Sequence, residues 1–171
     1  DTEGHPVSVT TGAVFFTHTD AVVGELVLSR SYNSGRRTAG RYGALGPGWN
    51  SSFEVRLRSI NARTRELRLS DGFAQYYFDA NDDGVYEAVM PKTRDSWLES
   101  VDGGGYRRAF RLGGSEVFDA VGRIQVATDA SNVETAYTYD AKGRLGSVSR
   151  LGRTLKFAYS DDSSRPSQAL G

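Results

Sequence analysis

Two similar stretches decide the fold: FDAVGRI at residues 118–124 and YDAKGRL at residues 139–145. Each has an aromatic residue, an aspartate, two variable residues, then glycine, arginine and an aliphatic residue, and the second begins 21 residues after the first. In such a unit the aromatic residue ends a strand, the aspartate bonds to the turn backbone, and the glycine takes a positive φ. This period predicts a sheet that grows by adding hairpins, each contacting its neighbours.

The rest of the chain carries the same strand-and-turn pattern in weaker form. Tyr159 comes 20 residues after Tyr139, but Ser160 stands where the aspartate is expected. Apolar residues alternate with polar ones at Leu26 and Leu28, at Phe53, Val55 and Leu57, at Leu67 and Leu69, and at Leu155, Phe157 and Tyr159. Glycine-rich turns separate these runs, and no amphipathic stretch has convincing helix caps. The sequence therefore predicts an all-β fold, an antiparallel β-hairpin meander with little or no helix.

Composition narrows the classes of function. The 171 residues include 21 basic and 21 acidic side chains and no cysteine. Zero net charge argues against bulk binding to nucleic acid or anionic lipid. The lack of cysteine excludes a disulfide framework and a thiolate metal site. No apolar run approaches the roughly 18 residues of a membrane span. The opening DTEGHP has no features of a signal peptide, so we expect a piece of a longer chain.

Four motifs, in order, resemble the N-terminal part of bacterial Rhs proteins. The YDAKGRL repeat resembles the YD repeat of that family, and the chain before it resembles the domain that precedes those repeats. The matching residues are Pro6-Val7 with Thr11-Gly12, Arg30 with Ser31-Tyr32-Asn33-Ser34, and Gly46-Pro47-Gly48-Trp49 in the stretch that begins at Gly43-Ala44. His5 departs from the family pattern, as does Ser160. No segment matches the family's self-cleaving core, so no proteolytic residue is carried over.

This resemblance implies an organisation and a role. It divides the chain into an N-terminal β-domain at residues 1–106 and the first YD-type hairpin repeats at residues 107–171. The repeats would wind into a hollow Rhs-type β-sheet shell that encloses a C-terminal toxin or effector, and the N-terminal domain would close one end. The chain would be a non-catalytic, secreted or cell-surface module of a bacterium. Its partners would be further repeats, the toxin of the same protein and components of a type VI secretion machine, with no nucleic acid.

The residues also leave two other functions open. One is a secreted β-rich adhesion or carbohydrate-binding module, in which Trp97 and an acidic loop would form a calcium-dependent site. The other is an enzyme such as a glycosidase, although no pair of carboxylates can be placed at catalytic distance from the sequence.

The acidic loop is the sharpest candidate for a metal site. Residues 79–84 read DANDDG, and Glu87 follows three residues later. Calcium loops use oxygen ligands at positions 1, 3 and 5, glycine at position 6, a carbonyl at position 7 and often an oxygen at position 9. Those positions are Asp79, Asn81, Asp83, Gly84, Val85 and Glu87. Position 12 is Met90, which cannot supply the usual carboxylate. We expect no required cofactor and a possible weak Ca²⁺ site, against the alternative of an acidic hairpin turn.

Other candidate sites have simpler interpretations. His18 and Asp20 could form a base and its orienting carboxylate, but no serine motif supplies a nucleophile. The glycines at residues 103–105 are not followed by the residues of a phosphate loop. Trp49 and Trp97 could stack on a sugar, although packing is expected for such large side chains. The arginines at residues 56–68 are expected on the polar faces of strands rather than on phosphates.

Overall fold

The chain is folded almost entirely into antiparallel strands. The computed structural model describes residue 7 and residues 12–36, 45–160 and 166–170. The strands of these residues are β1 (Phe15–Val23), β2 (Leu26–Asn33), β3 (Trp49–Ser51), β4 (Arg56–Asn61), β5 (Thr64–Arg68), β6 (Ala74–Phe78), β7 (Val85–Met90), β8 (Ser96–Ser100), β9 (Tyr106–Phe110), β10 (Ser115–Phe118), β11 (Ile124–Thr128), β12 (Glu134–Tyr139), β13 (Leu145–Arg150), β14 (Arg153–Tyr159) and β15 (Pro166–Leu170). Two 3-10 turns, Ser34–Arg36 and Asp102–Gly104, are the only helical segments among them. None of the described helical segments could span a membrane. The predicted all-β fold with little or no helix is confirmed.

The strands form two sheets. One contains β1, β2 and β3, and the other contains the twelve strands from β4 to β15 in unbroken chain order. Every neighbouring pair in the two sheets is antiparallel, and a short turn joins each strand from β4 to β13 to the next. The larger sheet is therefore the predicted meander, and each strand finds its partner in the next strand along the chain.

The larger sheet curls back until its first strand meets one of its own turns. The backbone N–H of Leu57 in β4 donates to the carbonyl of Gly122 in the β10–β11 turn at 2.9 Å. Arg56 and Arg123 form an isolated antiparallel bridge at the same place. The curled face encloses one core cluster, made of Leu57, Leu67, Tyr77, Tyr86, Ala88, Leu98, Phe118 and Ile124. A part of the exposed edge of β4 is thereby covered by the chain itself, which blunts an edge that could otherwise pair with another chain.

The three-stranded sheet packs on the last strands of the larger sheet. Leu26 and Leu28 of β2 share a second core cluster with Val148 of β13 and Leu155 of β14. Phe53 completes this cluster from the turn after β3. The sequence had placed Phe53, Val55 and Leu57 on one strand face, and this was wrong. The chain turns after Ser51 and β4 starts only at Arg56, so Phe53 and Leu57 enter different cores.

The predicted division into residues 1–106 and 107–171 does not coincide with a break in the sheet. Strand β9 contains both sides of this boundary and pairs with β8 and β10. Hydrogen bonding therefore continues across it. As a division of the sequence into two family segments, the boundary stays a prediction.

The closure of the sheet at Gly122 can be tested against a matched turn. Gly122 and Gly143 both have positive φ, at 79° and 76°. A Cβ at Gly122 would lie 1.8 Å from the Leu57 carbonyl oxygen, whereas one at Gly143 would meet only a side-chain nitrogen of Arg123, at 3.1 Å. Gly143→Ala should cost about 1–2 kcal/mol for the left-handed backbone alone. Gly122→Ala should cost about 3 kcal/mol or more, because it also displaces β4 and breaks a hydrogen bond.

Denaturant unfolding of the two variants measures this difference. Equal losses of unfolding free energy would contradict the closure of the sheet at this turn.

Candidate functional site

The turns of the two sequence repeats have the same hydrogen bonds. In the first, the Asp119 N–H donates to the Arg123 carbonyl and the Gly122 N–H to the Asp119 carbonyl, both at 2.9 Å. Oδ1 of Asp119 accepts the backbone N–H of Val121 at 3.1 Å and of Arg123 at 2.8 Å. Oδ2 accepts Nε of Arg123 at 2.7 Å. The aspartate therefore satisfies the turn backbone and fixes the arginine. We call this arrangement the Asp staple.

The second repeat reproduces the Asp staple bond by bond. The Asp140 and Gly143 N–H groups make the same two backbone bonds, both at 2.9 Å. Oδ1 of Asp140 accepts the N–H of Lys142 and of Arg144 at 2.9 Å each. Oδ2 accepts Nε of Arg144 at 2.7 Å. The pairing register also shifts immediately before the aromatic residue in both units, between Val117 and Phe118 and between Thr138 and Tyr139.

The stapled arginine of each unit holds the tyrosine of the next. The Arg123 guanidinium lies 4.9 Å from the centre of the Tyr139 ring, and that of Arg144 lies 4.3 Å from the centre of Tyr159. The Tyr139 hydroxyl donates to the Ile124 carbonyl at 2.8 Å, and the Tyr159 hydroxyl to the Leu145 carbonyl at 2.8 Å. Cation–π stacking of this kind contributes about 0.5–2 kcal/mol. We call the stapled arginine with the next tyrosine the repeat clamp.

Electrostatics keeps the staple aspartates ionised and the clamp tyrosines neutral. Burial opposes ionisation of Asp119, but the backbone N–H and the guanidinium of Arg123 outweigh it and lower the pKa of this carboxyl. The Arg144 backbone N–H and guanidinium lower the pKa of Asp140. Burial raises the pKa of Tyr139, and it raises the pKa of Tyr159 to about 12. At neutral pH the aspartates are therefore ionised acceptors and the phenols are donors.

A third staple, which no sequence pattern predicted, lies in the β11–β12 turn. Oδ1 of Asp129 accepts the N–H of Ser131 at 2.8 Å and of Val133 at 3.0 Å. Asn132 takes the positive φ, 62°, that glycine takes in the repeats. Asparagine tolerates this conformation better than most residues. The arginine comes from another hairpin, because Nη2 of Arg150 donates to Oδ2 of Asp129 at 2.6 Å.

Arg65 lies inside the curled sheet rather than on a polar strand face. It is 7% exposed, and its guanidinium donates to the hydroxyls of Tyr86 and Tyr106 at 2.8 Å each. The same group lies 4.7 Å and 4.9 Å from the centres of these two rings. The expectation for the arginines at residues 56–68 was therefore wrong for Arg65. Residues two apart in a strand lie on the same face. The buried Leu67, two residues after Arg65, was therefore the signal that Arg65 points inward.

A second buried arginine is held by polar side chains from three other strands. Arg108 donates to Ser96 at 3.3 Å, to Glu116 at 3.1 Å and to Gln75 at 3.1 Å. The Tyr77 hydroxyl bonds to Gln75 at 3.0 Å and to Ser96 at 2.8 Å. Because each of these groups has a partner, the network is a satisfied structural element of the interior.

The acidic loop is built around Asp79, which is only 2% exposed. Its carboxylate accepts backbone N–H groups from Asp82 at 2.7 Å, Asp83 at 3.3 Å and Gly84 at 2.9 Å. Burial would raise the pKa of Asp79, but these N–H groups lower it. Asp83 accepts the N–H of Val85 at 3.0 Å.

The remaining calcium candidates are more exposed. Asn81 and Glu87 lie at the surface, in the loop and on β7 respectively. No group of three or more His, Cys, Asp or Glu residues that could hold a metal ion is found in the described part of the chain. Ca²⁺ binding by Asp79, Asn81, Asp83, Val85 and Glu87 stays a prediction.

The aromatic candidates take part in separate local contacts. Trp49 begins β3 and packs against Phe16 and Tyr32, with ring centres 5.4 Å and 5.1 Å away. Trp97 lies in β8 of the other sheet and donates its Nε1–H to Glu99 at 2.6 Å. The structure therefore gives each tryptophan a packing or hydrogen-bonding role.

Two further sequence candidates have local partners. Nδ1 of His18 lies 3.1 Å from Asp20, whose other oxygen lies 2.6 Å from Nε of Arg30. Gly103 and Gly104 lie in the second 3-10 turn. His5, Pro6, Thr11 and the pair Gly43-Ala44 lie outside the described residues.

Comparison with known proteins gives two family matches. Residues 4–77 match a family model described as a domain of unknown function (DUF6531). Residues 118–154 match the model of the RHS Repeat, and this segment contains both Asp staples of the sequence repeats. No curated protein matches the chain.

The Asp staples predict a specific acid sensitivity. The pKa of Asp140 is lowered in the folded state, so its contribution to stability is present above the unfolded pKa, about 3.9. That contribution should be lost as the pH falls through the lower, folded pKa. Asp140→Asn should lower the unfolding midpoint at pH 7 and flatten its decline below about pH 4, because the amide carries no charge to lose. Thermal melts from pH 7 to pH 2 measure this, with Asp95→Asn at an exposed turn as control. An unchanged acid slope in Asp140→Asn would contradict the role of the staple.

The acidic loop predicts two separable effects. Asp79→Ala should lower the unfolding midpoint even in chelator, because three backbone N–H groups lose their acceptor. If Ca²⁺ also binds the folded form, millimolar Ca²⁺ should raise the wild-type midpoint, as expected for a site with a dissociation constant of about 10⁻⁴–10⁻³ M. Glu87→Gln, at an exposed position of β7, should lose the calcium effect while keeping the chelator midpoint. Identical wild-type melts in Ca²⁺ and chelator would remove the metal and leave a stapled turn.

Proposed function

Because the chain belongs to the Rhs/YD-repeat proteins, we propose that it is a non-catalytic structural module that starts a hollow β-shell. In this proposal the shell encloses a C-terminal toxin or effector of the same polypeptide. The chain supplies the first repeats of the wall and the N-terminal sheet that closes one end. Its partners are further repeats, the enclosed domain and components of a secretion machine such as type VI. It acts outside the producing cell or at its surface.

The repeat clamp is the observation that carries this proposal. Each unit stabilises its own turn with an aspartate and reaches the next unit with an arginine. A wall built in this way grows by nearest-neighbour contacts, as repeat proteins do. The curl that brings β4 to the Gly122 turn gives the sheet the inward curvature that an enclosing wall requires.

The packing of the three-stranded sheet supports its role at the end of the wall. Leu26 and Leu28 cover apolar side chains of β13 and β14 that a lone sheet would expose. Burial of such side chains contributes about 1.5–3 kcal/mol each. An N-terminal sheet that covers this surface of the first repeats would close the wall where it begins.

A calcium-dependent adhesion or carbohydrate-binding module is the second candidate. It is favoured by Trp97 beside the Glu99 carboxylate and by the acidic loop on the neighbouring hairpin. Titration of the chain with polysaccharides, in Ca²⁺ and in chelator, distinguishes the two functions. Saturable binding that needs both Ca²⁺ and Trp97 would favour the second.

The shell proposal predicts protease protection. In a polypeptide where further repeats and a C-terminal domain follow this chain, that domain should survive limited proteolysis at least tenfold longer than the isolated domain. Arg123→Ala combined with Arg144→Ala should shorten its survival, because both repeat clamps are lost. Val121→Ala, at an exposed position of the turn that contains Asp119, should leave the survival of the C-terminal domain unchanged.

One outcome of this assay would contradict enclosure of the C-terminal domain. If the C-terminal domain is cleaved as fast within the polypeptide as alone, while the repeats themselves resist cleavage, the wall forms without enclosing it.

A further inference from the structure

Arg150 binds carboxylates from both sheets. Its Nε donates to Glu25, in the β1–β2 turn, at 2.8 Å. Its Nη2 donates to Asp129, in the β11–β12 turn, at 2.6 Å. Nη1 donates to the Val133 carbonyl at 3.3 Å and to the Thr135 hydroxyl at 3.2 Å. One guanidinium thus joins the turn of the three-stranded sheet to two consecutive hairpins of the larger sheet.

Arg150 and Asp129 occupy the same position in consecutive repeats. Position 129 lies ten residues after Asp119, and position 150 lies ten residues after Asp140. The earlier unit therefore has an acid, and the later unit a base, at one repeat position. The acid of the earlier unit and the arginine of the later unit attract each other and join the two units. The same arginine can also bind a carboxylate from another segment of the chain.

Apolar contacts also join the two sheets. Leu26, Leu28 and Phe53 meet Val148 and Leu155 in the second core cluster. Apolar packing is strong but non-directional, whereas charge pairing fixes register and excludes wrong partners. If the three-stranded sheet docked one unit earlier, Glu25 would face Asp129 in place of Arg150. Two like charges would then lie together. Docking of the sheet in that position is therefore disfavoured.

We infer that Arg150 is the residue that determines on which repeat the three-stranded sheet docks, by pairing with Glu25 while Asp129 orients its guanidinium. Arg150 is thus a positioning residue, and its docking partner is the N-terminal sheet of the same chain. This inference deepens the proposed closure of the shell and rests on it for its biological meaning. The side chain of Arg150 is 18% exposed, and those of Asp129 and Glu25 are 39% and 61% exposed. The pair with Glu25 therefore adds selectivity more than stability.

A distance measurement between the two sheets tests the inference. The chain has no cysteine, so spin labels can be attached at Val22→Cys in β1 and Val121→Cys in the β10–β11 turn, which are 62% and 61% exposed. The wild-type background should give one narrow distance population. Arg150→Glu should at least halve that population, because it sets three carboxylates together. Lys156→Glu, the same charge change on the neighbouring strand β14, should leave it unchanged.

A charge-swapped double variant gives the decisive comparison. Glu25→Arg with Arg150→Glu restores an arginine–carboxylate pair between the two sheets, keeps Asp129 as the acceptor of its turn N–H groups, and should recover the narrow population. A second label pair within the larger sheet, at Leu112→Cys and Val121→Cys, should give the same distance in every variant and so exclude unfolding. An unchanged distribution in Arg150→Glu, or no recovery in the double variant, would overturn the inference. The protease assay above is independent of these labels, so enclosure and docking can fail separately.

Discussion

The structure depends on carboxylates that satisfy the backbone of tight turns. A meander of short strands has a turn every ten residues or so, and each turn leaves N–H groups without a strand partner. An unpaired buried N–H costs about 1–3 kcal/mol. Asp119 and Asp140 each accept two such groups with one oxygen and an arginine with the other. The turn geometry is thereby fixed, and with it the register of the two strands that leave the turn. Because a slip of one residue would move every side chain to the other face, the staples also determine which residues reach the core.

The interior shows a second consequence of a curled sheet. A sheet of short strands that bends around itself encloses a narrow volume, and large side chains from facing strands must share it. Arg65 and Arg108 use that volume with aromatic and polar partners. The buried aliphatic residues Leu67 and Leu98 lie two positions from Arg65 on β5 and from Ser96 on β8. Replacing such a network by apolar residues is often neutral for stability. A satisfied network adds a unique arrangement of the side chains, because each hydrogen-bond donor has few alternative acceptors within reach.

The sequence predicted the parts of this fold that repeat and missed the parts that occur once. The units at residues 118–124 and 139–145 revealed the staple because aspartate, glycine and arginine recur at fixed spacing. The Asp129 staple was missed because Asn132 replaces glycine and the arginine is supplied by Arg150, 21 residues away in the chain. Phe53 was placed on one strand face with Leu57 because period-two alternation continues through the turn after Ser51. Arg65 was assigned to a polar strand face because its charge was given more weight than its position two residues before the apolar Leu67. Each of these errors arises where contacts between distant segments override a local pattern.

The repeat clamp also gives the sheet a direction. The arginine of one unit acts on the tyrosine of the next, so a unit is completed by the residue that follows it in the chain. Tyr159 receives the clamp from Arg144, and the register shifts immediately before Tyr159 as it does before Phe118 and Tyr139. The bulge is therefore retained although Ser160 stands in place of the aspartate. It follows that the incoming clamp and the strand register, rather than a unit's own aspartate, suffice to place its aromatic residue. A hydroxyl offers a weaker acceptor than a carboxylate and no negative charge, so it cannot hold an arginine in the same way. The staple therefore serves the unit that comes after it, whereas the aromatic residue of its own unit is placed without it.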